Sequence, residues 1–152
     1  MLTFATTKKQ DLETLAKLYK KAFNAMWDKW TDKTALHILE YRYSKKIKLT
    51  VKLDNKIIWA CFADIKPLYF GNIISDWDVF IDPKYQNKWY GKEFFLYITQ
   101  FAKKKYNVIG RDFFTFKIWF QRKRYEKIWF NINEKRCMMT GNIDEIIRNL
   151  KK

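Results

Sequence analysis

The sequence predicts an α/β protein with a mixed central sheet of six to seven strands and flanking helices, in the order β-α-α-β-β-β-α-β-α-β. Two patterns predict it. Apolar and polar residues alternate, as in half-buried strands, at residues 2–6 and 47–53, and apolar residues recur three and four positions apart, as in helices, at residues 12–23 and 90–106. A chain of 152 residues that is 48% hydrophobic can bury one core, so we expect a single domain over residues 1–152.

The first elements are a strand and two helices. Residues 2–6 form the strand, and Thr7 follows it as the expected cap of the first helix. Thr31 or Asp32 is the capping candidate for the second helix, whose apolar residues fall on one face. This order places two helices before the rest of the sheet.

The elements after the second helix begin with a β-hairpin. Asp54 and Asn55 are residues typical of a tight turn between two strands. Pro83 ends a later strand, because its ring blocks further ladder pairing. The predicted elements are strands at residues 47–53, 56–65 and 73–81, with a loop around Pro67 and Gly71, a helix at 90–106, a strand at 113–120, a short helix at 122–129, one or two strands within 131–140, and a closing helix at 143–150.

The formal net charge of +15 favours a polyanionic partner, which could be nucleic acid, an anionic lipid surface or a phosphate-rich cofactor. No uncharged run is longer than nine residues, which is too short for a membrane-spanning helix, and the first residues lack the apolar core of a signal peptide. We therefore expect a cytoplasmic protein without a membrane partner. Cys61 and Cys137 have no metal-type spacing, and we expect both to be reduced core residues.

Residues 79–98 resemble motif A of the GNAT superfamily of acyl-CoA N-acyltransferases, in which a strand leads through a Q/R-x-x-G-x-G/A loop into a long helix. The loop here runs over residues 86–91 and keeps the second glycine as Gly91. Residues 124–130 resemble the family's F-Y-x-K-x-G-F element, and residues 54–59 resemble its D-x-x-I-I-G turn and strand. The resemblance implies a GNAT fold and an N-acetyltransferase that uses acetyl-CoA. Within the family, the sequence is most similar in pattern to aminoglycoside-acetyltransferase-like members.

Tryptophan stands at three positions where the resemblance implies glycine: Trp59, Trp89 and Trp129. The chain also has only four glycines but seven tryptophans. One hypothesis is that a reassigned stop codon encodes glycine in the lineage of this gene, and that the codon was translated as tryptophan in this sequence. The alternative is a diverged relative, with or without activity, in which Trp89 plugs the phosphate loop. Mass spectrometry of the native protein separates the two.

Two residues are the catalytic candidates. Asp78 matches the position where aminoglycoside-type relatives carry a glutamate, so the resemblance implies a general base, with Asp76 on the same strand face in reserve. The alternative is that both carboxylates are solvated or bind neighbouring Lys and Arg. Tyr125 is implied as the proton donor to the coenzyme A sulfur, against the alternative of a core tyrosine. His37, on the second helix, is given no catalytic role, and no metal site is expected.

The cofactor that the resemblance implies is acetyl-CoA, held mainly by backbone N–H groups. The end of the fourth strand would contact the pantetheine arm, and the loop and helix N-terminus would contact the phosphates, with two lysines adding charge. The assigned residues are Val79, Phe80, Ile81, Gln86, Asn87, Lys88, Trp89, Tyr90, Gly91 and Lys92.

Three functions stay open at this stage. The first is transfer of an acetyl group to a primary amine of a small molecule or peptide. The second is an RNA-directed GNAT of the type that acetylates aminoacyl-tRNA, because residues 101–152 carry a net charge of +9 and could contact RNA. The third is an inactive GNAT fold used as a binding module. A homodimer is also open, because many relatives form one.

Overall fold

The computed structural model describes residues 1–26, 28–86, 88 and 90–112. These residues contain a mixed sheet in the spatial order β1-β2-β3-β4-β5. Neighbouring strands are antiparallel except β4 and β5, which are parallel and are joined through a helix. The strands are β1 (Leu2–Thr6), β2 (Ile47–Leu53), β3 (Lys56–Leu68), β4 (Gly71–Ile81) and β5 (Val108–Arg111), and the helices are α1 (Leu12–Asn24), α2 (Asp32–Arg42) and α3 (Tyr90–Tyr106).

The helices cover the two faces of the sheet, and the alternation of side chains along β3 divides the core between them. Trp59, Cys61 and Ala63 pack with the apolar face of α3, whereas Ala60 and Phe62 pack with α1 and α2. Cys61 is a buried free thiol, as expected, and Cys137 lies outside the described residues. Residues pointing to the α1/α2 face and residues pointing to the α3 face therefore have separate surroundings.

The two helix caps predicted from the sequence have different outcomes. Thr31 caps α2, since its hydroxyl accepts a hydrogen bond from the Thr34 N–H at 3.1 Å. The prediction for Thr7 is wrong: a short 3-10 helix (Lys9–Asp11) precedes α1, and the Thr7 hydroxyl is buried without a hydrogen bond to the described residues. An extra turn of 3-10 helix moves the start of α1 beyond the reach of Thr7.

The turn between β2 and β3 is as predicted, and the following connection is not. Asp54 and Asn55 have positive φ values of 48° and 66°, the conformation that a two-residue hairpin turn requires. Pro67 lies within β3, opposite Asn72, instead of in a loop. It is tolerated because the pairing of β2 with β3 begins at Ala63, so β2 does not reach this part of β3.

The predicted mixed α/β sheet is confirmed, with five strands in the described part of the chain. The last of them, β5, begins before the expected fifth strand, because Asn107 at a positive φ of 51° turns the chain directly from α3 into the sheet. The elements predicted from residue 113 onward lie outside the described residues. Among the described helices, none has the length and apolar character needed to cross a membrane.

Candidate active site

A β-bulge interrupts the pairing of β3 with β4. Asp76 and Trp77 together lie opposite the single residue Ala63, and Asp76 has a positive φ of 44°. Asp is one of the few residues other than glycine that adopts this conformation at low cost. Trp77 packs against the α3 side of the sheet, whereas the carboxyl groups of Asp76 and Asp78 both contact α2 on the other side. The bulge thus gathers two carboxylates on one face.

Asp78 is largely buried, with 12% of its side chain exposed. Its Oδ2 accepts a hydrogen bond from the Tyr19 hydroxyl at 3.1 Å and lies 3.6 Å from Nε of Arg42. Burial raises the pKa of Asp78, and the Arg42 charge and the Tyr19 hydrogen bond reduce this rise without cancelling it. The carboxyl group therefore takes up a proton more readily than an ordinary aspartate.

Asp76 has the opposite electrostatic character. Its carboxylate accepts a hydrogen bond from Nη1 of Arg42 at 2.7 Å and pairs with Nζ of Lys45. Burial acts to raise its pKa, but the hydrogen bonds from Lys45 and Arg42 outweigh burial and lower it. Two neighbouring carboxylates whose pKa values are shifted in opposite directions form an arrangement that suits acid–base chemistry, with Asp78 the better proton acceptor.

Tyr19 positions the carboxylate of Asp78 and is itself held by aromatic rings. Its ring meets Trp30 and Phe80 edge-on, with centroids 5.1 Å and 5.0 Å away, and packs at 4.4 Å against Phe23. Burial raises the pKa of Tyr19, and the nearby Asp78 raises it further. The hydroxyl therefore stays protonated and acts as a donor.

Sequence reasoning missed both Tyr19 and Arg42 as members of this site. Tyr19 is separated from Asp78 by 59 positions, and its place on the apolar face of α1 indicates a core residue. Arg42 ends α2 in one of the basic positions that are ordinary at a helix C-terminus. Neither residue carries a local signal of its contact with β4.

The strand edge beside Asp78 is open in the described part of the chain. Described pairing between β4 and β5 is confined to Asn72, Ile73 and Ile74, and Asp112 N–H donates to the Ile74 carbonyl. The later residues of β4 thus have no described neighbour on that side. Of the expected pantetheine contacts, Val79 and Ile81 face the α3 side, and Phe80 faces α1 and α2.

The segment between β4 and α3 is anchored by Asp82, which is 4% exposed. Its Oδ1 accepts hydrogen bonds from Lys21 Nζ at 2.7 Å and from the Lys84 N–H at 3.0 Å, capping a 3-10 helix (Pro83–Tyr85). Burial acts to raise the pKa of Asp82, but these hydrogen bonds lower it overall. The chain therefore leaves β4 in a fixed direction toward the start of α3.

The residues expected to bind phosphates lie around the N-terminus of α3. Gln86 and Lys88 are exposed, Tyr90 begins the helix, and Gly91 is buried in its first turn with Lys92 exposed beside it. The first N–H groups of a helix have no intrahelical partner and point outward at its positive end. These described residues fit a phosphate group. Asn87, Trp89, Tyr125 and Trp129 lie outside the described residues.

No protein-family model and no curated protein matches the sequence. Solved structures do match. A possible acetyltransferase from Clostridium difficile is 16% identical with a TM-score of 0.77, covering 94% of this chain and 99% of its own. A predicted acetyltransferase from Clostridium acetobutylicum with acetyl-CoA is 14% identical with a TM-score of 0.72, covering 92% and 96%.

A third match is the aminoglycoside N-acetyltransferase AAC(6')-Iy in complex with coenzyme A, which is 14% identical with a TM-score of 0.70 and covers 94% of this chain and 95% of its own. These similarities show that the chain has the fold of the GNAT acetyltransferases. The fold class that the sequence resemblance implied is thereby confirmed.

Proposed function

We propose that the chain is a single-domain, acetyl-CoA-dependent N-acetyltransferase that modifies a primary amine of a small molecule or peptide. One observation carries this proposal: Asp78 is a buried carboxylate of raised pKa that Tyr19 and Arg42 hold in place on β4. The fold supports the proposal, since structures that share it include one with acetyl-CoA and one with coenzyme A.

The described residues fit the cofactor at two places. The positive N-terminal end of α3, with Lys88 and Lys92, suits the phosphates, and Asn87 and Trp89 adjoin these residues in the sequence. The main chain of β4 at residues 79–81 suits the amides of the pantetheine arm. Acetyl-CoA supplies an acetyl group activated as a thioester.

The reaction needs a proton acceptor and a proton donor. In this proposal Asp78 accepts the proton that the attacking amine loses, directly or through one water molecule. Tyr125 donates a proton to the departing thiolate, as the family resemblance implies. Tyr19 and Arg42 hold the Asp78 carboxylate in place during this transfer. Asp76 is the less suitable base because its pKa is lowered.

The charges around Asp78 favour an acceptor with a single ammonium group. Three carboxylates, of Asp64, Asp76 and Asp78, face two cations, Arg42 and Lys45. This leaves about one negative charge, which suits one ammonium group better than a polycation approaching a chain of net charge +15. An amine carried by RNA is the second candidate, favoured by the same net charge.

The test is an acetyl-transfer assay over a panel of amines, with product acetylation followed by mass spectrometry. We expect transfer by the wild-type chain and a loss of roughly 100-fold or more in Asp78→Asn. Asp54→Asn is the matched control, because Asp54 is exposed and pairs with the N-terminus instead of the network. Equal activity of Asp78→Asn and Asp54→Asn would remove Asp78 as the base.

A further inference from the structure

The β3–β4 turn presents two aromatic side chains to solvent. Tyr69 is 100% exposed and Phe70 is 51% exposed, and their rings meet edge-on with centroids 4.9 Å apart. Ile109 of β5, which is 62% exposed, lies against the neighbouring Gly71. These residues form an apolar tip at one end of the sheet.

Folding does not explain aromatic residues at this turn. The β2–β3 turn uses Asp54 and Asn55, residues that two-residue hairpin turns favour. At the β3–β4 turn, Tyr69 is 100% exposed and Phe70 is still 51% exposed, so the gain from packing is small. Departures from local sequence preference without a packing gain are expected at functional sites. The exposed rings therefore indicate a binding role.

Exposed lysines lie on the elements that adjoin this tip. Asn72 Nδ2 donates to the Tyr106 carbonyl at 2.9 Å, which ties the end of α3 to the start of β4, and Tyr106 Oη donates to the Lys46 carbonyl at 2.9 Å. Residues 66–72 and 101–111 contain no Asp or Glu. The basic end of the molecule is defined here as the tip together with the exposed lysines Lys46, Lys66, Lys103, Lys104 and Lys105.

We propose that the basic end binds a single-stranded polynucleotide, with bases stacked on Tyr69 and Phe70 and phosphates paired with the lysines. Unpaired bases stack on exposed rings, while lysines follow the backbone. The fully exposed Tyr69 ring is accessible to a base, and the Phe70 ring supports it edge-on. The apolar area is one turn and one strand residue, which is small beside the apolar face that an amphipathic membrane-binding helix offers. This site is separate from the proposed acetyl transfer.

The test measures binding of labelled oligouridine and oligodeoxythymidine of about ten nucleotides by fluorescence anisotropy, over about 50 to 200 mM salt. Tyr69→Ser/Phe70→Ser removes the rings at an exposed turn, and Tyr69→Phe keeps a stacking face. Lys103→Gln/Lys104→Gln/Lys105→Gln is matched by Lys29→Gln/Lys33→Gln/Lys56→Gln, which removes the same charge from exposed lysines outside the basic end. Circular dichroism checks that each variant is folded.

We expect wild-type binding, a loss of about tenfold or more without the rings, and wild-type affinity in Tyr69→Phe. The slope of log binding constant against log salt concentration should become shallower by about 2 in the variant that lacks Lys103, Lys104 and Lys105. It should change much less in the control variant that lacks Lys29, Lys33 and Lys56. The tighter oligonucleotide identifies RNA or DNA as the partner. The proposal is overturned if neither oligonucleotide binds the wild-type chain, if the ring variant binds as wild type, or if both lysine triples lose affinity equally.

Discussion

One nitrogen of Arg42 binds Asp76 twice. Nη1 donates to the main-chain carbonyl of Asp76 at 3.2 Å and to its Oδ1 at 2.7 Å. The two hydrogen bonds hold a residue whose φ is positive, and thus fix the bulge in β4. The same guanidinium places Nε 3.6 Å from Oδ2 of Asp78. One side chain therefore shapes the strand and sets the electrostatic potential at the proposed base.

Replacing Arg42 should raise the pKa of Asp78 further. Arg42→Gln removes the positive charge that favours the ionised carboxylate, so the acid limb of the pH–rate profile, or the carbon-13 titration of Asp78, should move to higher pH. Lys45→Gln is the control, because Lys45 pairs with Asp76 and Asp64 instead. An unchanged titration in Arg42→Gln, or an equal change in Lys45→Gln, would contradict this role.

Removing the Tyr19 hydroxyl should destabilise the protein by about 1 to 3 kcal/mol at neutral pH, because the Asp78 carboxylate loses its hydrogen-bond donor while its burial remains. The cost of Tyr19→Phe should shrink in acid, where Asp78 is protonated and needs the donor less. Urea unfolding followed by circular dichroism at both pH values measures this. Tyr97→Phe, whose ring stacks on Phe4 at 4.3 Å, controls for loss of a hydroxyl. A pH-independent cost would argue against a specific bond to the carboxylate.

Asp82 should contribute stability that acid removes. Its pKa is lowered in the folded state, so its contribution is complete above the ordinary aspartate value of about 3.9 and is lost as pH falls through the folded value. Asp82→Asn should cost about 1 to 2 kcal/mol at neutral pH, through the weaker cap and the lost Lys21 pair. The gap between wild type and variant in urea midpoint should narrow on acidification. A difference in urea midpoint that does not change with pH would show that the charge of Asp82 is not the source of its stabilising effect.

Trp59 should tolerate replacement by phenylalanine. The indole is 5% exposed, and its N–H has no hydrogen-bond partner among the described residues, which is a cost to the folded state. Trp59→Phe keeps a ring against Phe94 and removes this donor, so the free energy of unfolding should change by less than about 1 kcal/mol. Trp59→Ala should cost about 3 to 5 kcal/mol by leaving a cavity. If Trp59→Phe is as unstable as Trp59→Ala, the indole makes stabilising contacts that a phenyl ring cannot replace, and the prediction is wrong.

Local patterns in the sequence predicted the elements that depend on local forces. The bounds of β1, β2 and α3, the Thr31 cap and the Asp54 and Asn55 turn follow from periodicity and capping chemistry within a few residues. Asp78 was named as a candidate base through a family resemblance. Its carboxyl group lies with that of Asp76 on the α1/α2 side of the sheet, as predicted, although a bulge and not simple alternation brings Asp76 there.

The rest depends on contacts between distant parts of the chain. The sequence around Asp76 looks like an ordinary alternating strand and gives no sign of the bulge. The bulge is defined by pairing with β3 and is held by Arg42. Pro67 indicated a loop, but it lies in a strand. Its place there depends on how far β2 extends along β3, which the local sequence does not reveal. The partners of Asp78, Tyr19 and Arg42, come together only when α1 and α2 pack on the sheet.

The central claim is that the chain binds acetyl-CoA at the N-terminus of α3, and isothermal titration calorimetry tests it most directly. We predict one-to-one binding of acetyl-CoA, tighter in Trp89→Gly, since a glycine lets phosphates approach the loop backbone. Lys88→Gln/Lys92→Gln should weaken binding by about tenfold. Absence of binding by both the wild-type chain and Trp89→Gly would contradict the acetyltransferase proposal and leave the GNAT fold as a binding module.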